Sequence, residues 1–241
     1  MMSLLAKESL PCLRENSRDI IPLFPHKLIS MKYLLSILFA FSLAACQSSD
    51  APAKSSPESS SKQELNLQGK AKAYFASGCF WCVEAIFESV NGVEEVYNGY
   101  SGGHTENPTY EGSNTGSTGH AEAVEVIYDP EVVSFETLVD VYFGSQNIEQ
   151  VNGQGNDIGS QYRSIAFYQN MAEKSILSKK AMDLIKEGYK VASQIEPFEK
   201  FWMGEDYHQD YEALHPNHPY IRAVSIPRLN AFKTKFPELL K

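Results

Sequence analysis

The chain has 241 residues, with 21 Lys+Arg against 30 Asp+Glu and a formal net charge of -9. That excess of acid argues against a general phosphate-backbone binder, which needs a basic face. Aromatic residues make up 12% and charged residues 21%, a composition too apolar for a disordered chain and ample for a folded core. Four cysteines in this length do not make a disulfide scaffold. No apolar run reaches the ~18–20 residues that a spanning helix needs.

Residues 1–30 show no sustained period. Met31-Lys32 then opens a sharper signal: Tyr33 to Ala45 is apolar, broken only by serines, and follows one lysine. It has signal-peptide proportions and is too short for a membrane span. It ends Leu43-Ala44-Ala45-Cys46, which resembles a bacterial lipobox. That resemblance implies lipidation at Cys46, an initiator at Met31 and a removable leader over 1–45. The alternative is an ordinary cleaved export signal with an incidental cysteine. Residues 46–69 are rich in Ser, Pro, Lys and Glu without apolar periodicity and read as a flexible tether. About 22 such residues span roughly 25 Å. The leader is net basic, so the remainder is more acidic than the whole. Anionic headgroups would repel it, and only a lipid would hold it to a membrane.

Residues 70–241 read as one domain. Lys72–Ser77 is a strand, followed after Gly78-Cys79 by a helix with Val83, Ile86, Phe87 and Val90 on one stripe. Residues 97–120, dense in Gly and Asn, read as a long functional loop. Glu122–Tyr128 alternates as a strand stopped by Asp129-Pro130. Ser134 caps a helix that turns Phe135, Leu138, Val139 and Tyr142 inward and ends before Gly144. A second Gly/Asn loop spans 150–161. Ser164–Tyr168 is a strand, Asn170 with Glu173 opens a helix using Ile176, Leu177, Leu184 and Ile185, and Val191–Ile195 is another strand. A last helix covers Pro227–Phe236. Short strands mixed with helices, and no Gly-rich phosphate turn, predict an α+β two-layer sandwich with a mixed β-sheet.

Cys79-Phe80-Trp81-Cys82 sits where a strand hands over to a helix. A thiol there meets the helix dipole and free N–H groups, both of which favour the nucleophilic thiolate. Cys82 lies within disulfide reach, and no cysteine follows it. Half a zinc site completed by His215 and His218 is the competing reading, although two residues between histidines is a short spacing. Glu122 shares a strand face with Val124, Val126 and Tyr128. There it would hold a proton near neutrality and act as a general acid, or, at the strand end, reach solvent. Tyr110 and Tyr162 lie in the two loops as hydroxyl donors or as packed surface aromatics. Asp157 orients such a site or caps a turn. His208 beside Tyr207 is a catalytic candidate or a structural ring.

Six ordered blocks look like peptide methionine sulfoxide reductase of the A type (MsrA). They are Gly78-Cys79-Phe80-Trp81-Cys82-Val83-Glu84; Gly99-Tyr100-Ser101-Gly102-Gly103; Asn107-Pro108-Thr109-Tyr110; Gly119-His120-Ala121-Glu122-Ala123-Val124; Gln154-Gly155-Asn156-Asp157 with Gln161-Tyr162-Arg163-Ser164; and Tyr207-His208-Gln209. The resemblance implies the ferredoxin-like fold of that family. It makes Cys79 the nucleophile at the sulfoxide sulfur, with Phe80 and Trp81 walling a pocket for the S-methyl group. Glu122 protonates the sulfoxide oxygen, Tyr110 and Tyr162 hold that oxygen, and Asp157 supports the site. A sulfenic acid on Cys79 and a Cys79–Cys82 disulfide follow. The motif is the family's GCFWC variant, with the second cysteine inside it.

The resemblance further implies no bound cofactor and no metal, and an external dithiol reductant of thioredoxin type. Partners are free methionine sulfoxide or oxidised exported proteins, and a monomer is expected. Outside the cytoplasm the electron donor would be a membrane relay or an exported dithiol protein. Where many relatives carry a His-Asp-Pro run, this chain has Gln146-Asn147-Ile148. A thioredoxin-like dithiol oxidoreductase is the alternative that a CxxC at a strand–helix junction allows, and a non-enzymatic binding module is a third.

Overall fold

The computed structural model describes residues 68–241. The leader, Cys46 and the tether up to residue 67 lie outside the described residues. No described helix is long and apolar enough to cross a membrane.

A six-stranded mixed sheet forms the frame. In chain order the elements are β1 (Ala71–Ala76), α1 (Phe80–Glu88), β2 (Val93–Ser101), α2 (Tyr110–Asn114), β3 (Ala121–Tyr128), α3 (Phe135–Gly144), the small hairpin β4 (Gly153–Gln154) and β5 (Asp157–Ile158), β6 (Ile165–Tyr168), α4 (Met171–Lys186), β7 (Gln194–Pro197), β8 (Trp202–Met203), α5 (Tyr211–Leu214) and α6 (Ile226–Lys235). The strand order is β7-β6-β1-β3-β2-β8. Every neighbouring pair is antiparallel except β6 with β7. This is the α+β mixed sheet that the sequence predicts.

Period-two alternation divides the core. Ala73, Phe75, Val124 and Val126 point into the main core beneath the helices, with Ile86, Phe87, Leu138, Tyr142, Leu177 and Phe232. Tyr74, Ala76, Ala121, Ala123, Ile165 and Phe167 form a smaller cluster on the opposite face, covered by Phe198 and Phe201. All eight residues of β3 are therefore buried, and the apolar-and-polar alternation read along it is burial on two faces. Caps set the helix starts. Ser134 accepts the Thr137 N–H and Asn170 accepts the Glu173 N–H.

Four elements differ from the sequence reading. β2 takes Val93–Ser101, so residues 97–101 are strand. The two glutamates, Asn98 and Gly99 obscure its pattern, and pairing with both β3 and β8 stabilises it. β7 begins at Gln194, three residues later than predicted, because parallel pairing with β6 fixes its register. Ile185 is 55% exposed, since α4 buries only Leu177 and Ala181 fully. Gly144 closes α3 from within.

The turn from β1 into α1 depends on Gly78, whose φ is +77°; a Cβ there would meet Gln154 Cβ at 2.6 Å. Gly155 also has positive φ, at +59°, but faces open space. Gly78→Ala combines backbone strain with a clash and should cost about 2–4 kcal/mol of unfolding free energy. Gly155→Ala carries strain alone and should cost about 1–2 kcal/mol. Urea unfolding of the two variants checks the difference, which the shared φ sign alone would not produce.

Candidate active site

The β1–α1 turn is held from outside by Arg228 of α6. Its guanidinium donates to the Ser77 carbonyl at 2.9 Å, to Ser77 Oγ at 2.9 Å and to the Ser145 carbonyl at 3.0 Å. One residue beyond Gly78, Cys79 occupies the N-cap of α1, and its carbonyl accepts the Cys82 and Val83 N–H groups. Cys79 is 6% exposed and Cys82 2%, and both are free thiols.

Glu122 enters this helix start from β3. Its side chain is 2% exposed and accepts the Phe80 N–H at 3.0 Å. That N–H is one of the four that a helix start leaves unsatisfied. Burial pushes the Glu122 carboxyl up to about 8; the Phe80 N–H works in the other direction, and Asp157 and Cys82 add to the rise. One hydrogen bond does not offset burying a carboxylate. Near neutrality Glu122 is therefore a protonated acid with an oxygen anchored to the helix, and the solvent-reaching alternative falls away.

The two thiols titrate together. Burial pushes the Cys79 thiol up, with Cys82 and the Glu122 carboxyl adding to the rise. Cys82 is drawn down to about 6, first by hydrogen bonding from Cys79 against the opposing effect of burial, then by Arg228, Ser225 and Tyr220. One proton shared by such a pair belongs to both sulfurs. This corrects the expectation that the helix end alone favours thiolate at Cys79; in the resting site burial outweighs it.

The two tyrosines converge on the same point from different loops. Tyr110 opens α2, whose N-cap Thr109 accepts the Gly112 N–H. Tyr162 closes a one-turn 3₁₀ segment, Ser160–Tyr162. Burial pushes both phenols up, and Glu122 and Cys79, whenever ionised, push each further. Both remain neutral O–H donors facing Glu122 and Cys79. Phe80 is 1% exposed. Trp81 is half-buried, stacked on Tyr211 at 3.9 Å, and its indole N–H has no partner among the described residues. His208 is buried between Phe80 at 4.8 Å and Tyr110 at 4.6 Å, and burial keeps it neutral. It packs the pocket from behind, as the structural alternative anticipates. His215 stacks on Tyr211 at 4.2 Å, and the groups that act on Cys82 are Cys79, Arg228, Ser225 and Tyr220. Among the described residues Cys79, Cys82, His215 and His218 are not brought together as a metal-ligating group.

Three features escape the sequence reading. Tyr220 donates to Asp157 Oδ2 at 2.5 Å and lies 3.8 Å from Cys82 Sγ, so Asp157 reaches the thiols through a phenol. Glu205 accepts the Tyr110 N–H at 2.9 Å and the Tyr100 hydroxyl at 2.7 Å, fixing the start of α2. Burial works against its charge, but those donors hold its carboxyl below the usual range. Gln146 accepts from Ser164 Oγ at 2.6 Å and from Gln154 Nε2 at 3.3 Å, while Gln154 Oε1 accepts the Asn147 N–H. The Gln146-Asn147 stretch thus clamps Gln154, which packs on Gly78 and carries the hairpin bearing Asp157. Long-range phenol and carboxylate contacts and side-chain amides give no periodic signal, so the sequence does not reveal these contacts.

A family model described as peptide methionine sulfoxide reductase matches residues 71–240. The chain is 45% identical over 161 residues to the peptide methionine sulfoxide reductase MsrA of Nautilia profundicola, covering 67% of this chain and 93% of that protein. It is 43% identical over 171 residues to the MsrA of Pasteurella multocida, covering 70% and 98%. Among solved structures it resembles methionine sulfoxide reductase A of Corynebacterium diphtheriae, with a TM-score of 0.57 and 34% identity over 61% of this chain and 76% of that one. Mxr1 of Saccharomyces cerevisiae in reduced form also gives 0.57, at 31% identity over 62% and 88%. The thioredoxin-like alternative accounts for the cysteine pair alone, whereas these likenesses span the described domain. The chain belongs to the peptide methionine sulfoxide reductase family and is a peptide-methionine (S)-S-oxide reductase.

Proposed function

We propose that this enzyme reduces methionine sulfoxide through a sulfenic acid on Cys79 and a Cys79–Cys82 disulfide. The observation that carries the reading is the neutral, buried Glu122 carboxyl bonded to the Phe80 N–H beside Cys79. A sulfoxide sulfur is a poor electrophile until its oxygen receives a proton. A buried acid and a thiol in one pocket supply both requirements.

Cys79 sulfur attacks the substrate sulfur while Glu122 protonates the oxygen and the Tyr110 and Tyr162 hydroxyls hold it. The oxygen passes to Cys79, giving sulfenic acid and the thioether methionine; the proton lost by Cys79 restores Glu122. Phe80 and Trp81 flank the S-methyl group, and Asp157 acts through Tyr220. Cys82 then attacks the sulfenic sulfur, the S–O bond breaks and water leaves, forming the disulfide. Arg228, Ser225 and Tyr220 lie beside Cys82 and favour its thiolate in that step. A thioredoxin-like dithiol then reopens the disulfide by exchange.

The leader and Cys46 support a second element of the proposal. The enzyme is a membrane-anchored lipoprotein, held by Cys46 and the 46–69 tether, that repairs oxidised exported proteins. Cys46→Ser should move the protein from the membrane to the soluble fraction, and retention on the membrane would count against lipidation there.

Cys79→Ser should abolish turnover of methionine S-sulfoxide with dithiothreitol. Cys82→Ser should still release about one equivalent of methionine per enzyme and then stall with thioredoxin as reductant. A rapid-quench count of methionine checks both, and sustained thioredoxin turnover by Cys82→Ser would contradict the resolving role. Glu122 acts in its protonated form, present below about 8. The single-turnover rate should therefore fall as pH rises through about 8. Glu122→Gln should lower it by about 10²–10⁴-fold and remove that limb.

A further inference from the structure

Closing a Cys79–Cys82 disulfide requires Cys82 to give up its proton, and few groups beside it can take one. Cys82 is 2% exposed, so bulk water has little access. Arg228 is a cation with no acceptor. Glu122 is neutral near pH 7. The Cys79 thiol heads the groups that draw Cys82 down, but that thiol no longer exists once Cys79 carries an oxygen. Two hydroxyls remain. Ser225 Oγ donates to Glu212. The Tyr220 oxygen lies 3.8 Å from Cys82 Sγ, and its hydroxyl donates to Asp157 Oδ2 at 2.5 Å. Of the two, only Tyr220 also touches Cys79, so it stands at both reacting sulfurs. A phenol has one hydrogen. With that hydrogen on Asp157, the Tyr220 oxygen faces Cys82 as an acceptor. Asp157 is half-buried and lines an open groove, where it exchanges protons with solvent.

We infer that Tyr220 is a catalytic residue of the disulfide-closing step, a proton relay that carries the Cys82 proton to Asp157. The inference rests on the disulfide reading above.

The Cys82 S–H proton moves to the Tyr220 oxygen as the phenol's own proton moves to Asp157. Tyr220 then turns an O–H toward the new thiolate. The Cys82 electron pair forms the bond to the Cys79 sulfur. The S–O bond breaks, and its electron pair leaves with oxygen, which takes a proton from Glu122 and departs as water. Asp157 releases its proton to solvent and Glu122 regains one. The sulfenic sulfur is reduced, the Cys82 thiol is oxidised, and no further reactant is consumed.

The test uses the full chain, treated with one equivalent of a methionine-sulfoxide peptide, quenched at intervals with dimedone and mapped by mass spectrometry. The dimedone adduct counts Cys79 sulfenic acid, and the cross-linked peptide counts disulfide. Tyr220→Phe keeps the ring that stands edge-on to Trp81 and removes the hydroxyl. Asp157→Asn keeps the shape and removes the base. Each should slow closure by roughly 10²-fold, so that sulfenic acid accumulates. The ionisable groups facing Cys82 are Cys79, Glu122, Arg228 and Tyr220, and those facing Asp157 are Tyr220, Tyr162 and Glu122. With the relay cut, solvent base must take the Cys82 proton. Closure in both variants should then rise about tenfold per pH unit until the thiol itself titrates, whereas wild type stays flat across neutral pH. Slower closure with an unchanged pH profile would mean a packing role and overturns the inference, as does wild-type closure in Tyr220→Phe. Slow, pH-steep closure in Ser225→Ala with Tyr220→Phe unaffected sends the proton to Glu212 and also overturns it. Wild type separates the two levels: a sulfenic acid that never closes sinks the disulfide reading, whereas closure indifferent to Tyr220 sinks the relay alone.

Discussion

The hydrogen bond from the Phe80 N–H to Glu122 is the contact on which the site depends. It joins a strand of the central sheet to the first turn of α1. It also satisfies a helix-start donor that water would otherwise have to reach. The anchored carboxyl sits dry between the sheet and the helix, and burial there decides its protonation. Were the site wetter, Glu122 would ionise at its ordinary value and have no proton to give near neutrality. The burial of Glu122 therefore has a chemical consequence, because it keeps solvent from a carboxyl that, in the proposed mechanism, works only when neutral.

A second constraint is the division of labour between the thiols. Cys79 and Cys82 share one turn of helix but differ in company. Cys79 has an acid and two phenols; Cys82 has a guanidinium and a serine, and Tyr220, bonded to Asp157, touches both sulfurs. Burial holds the resting Cys79 thiol protonated, so in the proposed mechanism its activation is coupled to its neighbour and to the substrate. The helix end supplies the geometry of the turn; the charge state follows from the surroundings.

Much of this was legible in the residues. The strand–Gly–Cys–helix handover, the caps at Ser134 and Asn170, and the α+β class follow from local chemistry, and local chemistry decides those features. Glu122 was readable as an acid only through its position on β3, and period alone left a solvent-reaching alternative. The structure removes that alternative because both faces of β3 are covered. β2 was hidden because Glu94, Glu95, Asn98 and Gly99 break its alternation, while its pairing partners lie far along the chain. Tyr220, Glu205 and Gln146 were hidden for a related reason. Each acts across 60 or more residues or through amide and phenol contacts that leave no periodic trace, Gln146 being the shorter-range case.

The most direct test of this account is the protonation state of Glu122 itself. Infrared difference spectra of wild type against Glu122→Gln, recorded across a pH titration, isolate its carbonyl stretch. The account predicts a protonated carboxyl at neutral pH that ionises near 8. A band already lost in mildly acidic solution would mean that Glu122 is a carboxylate in the working enzyme, and the acid in this mechanism would have to be another group.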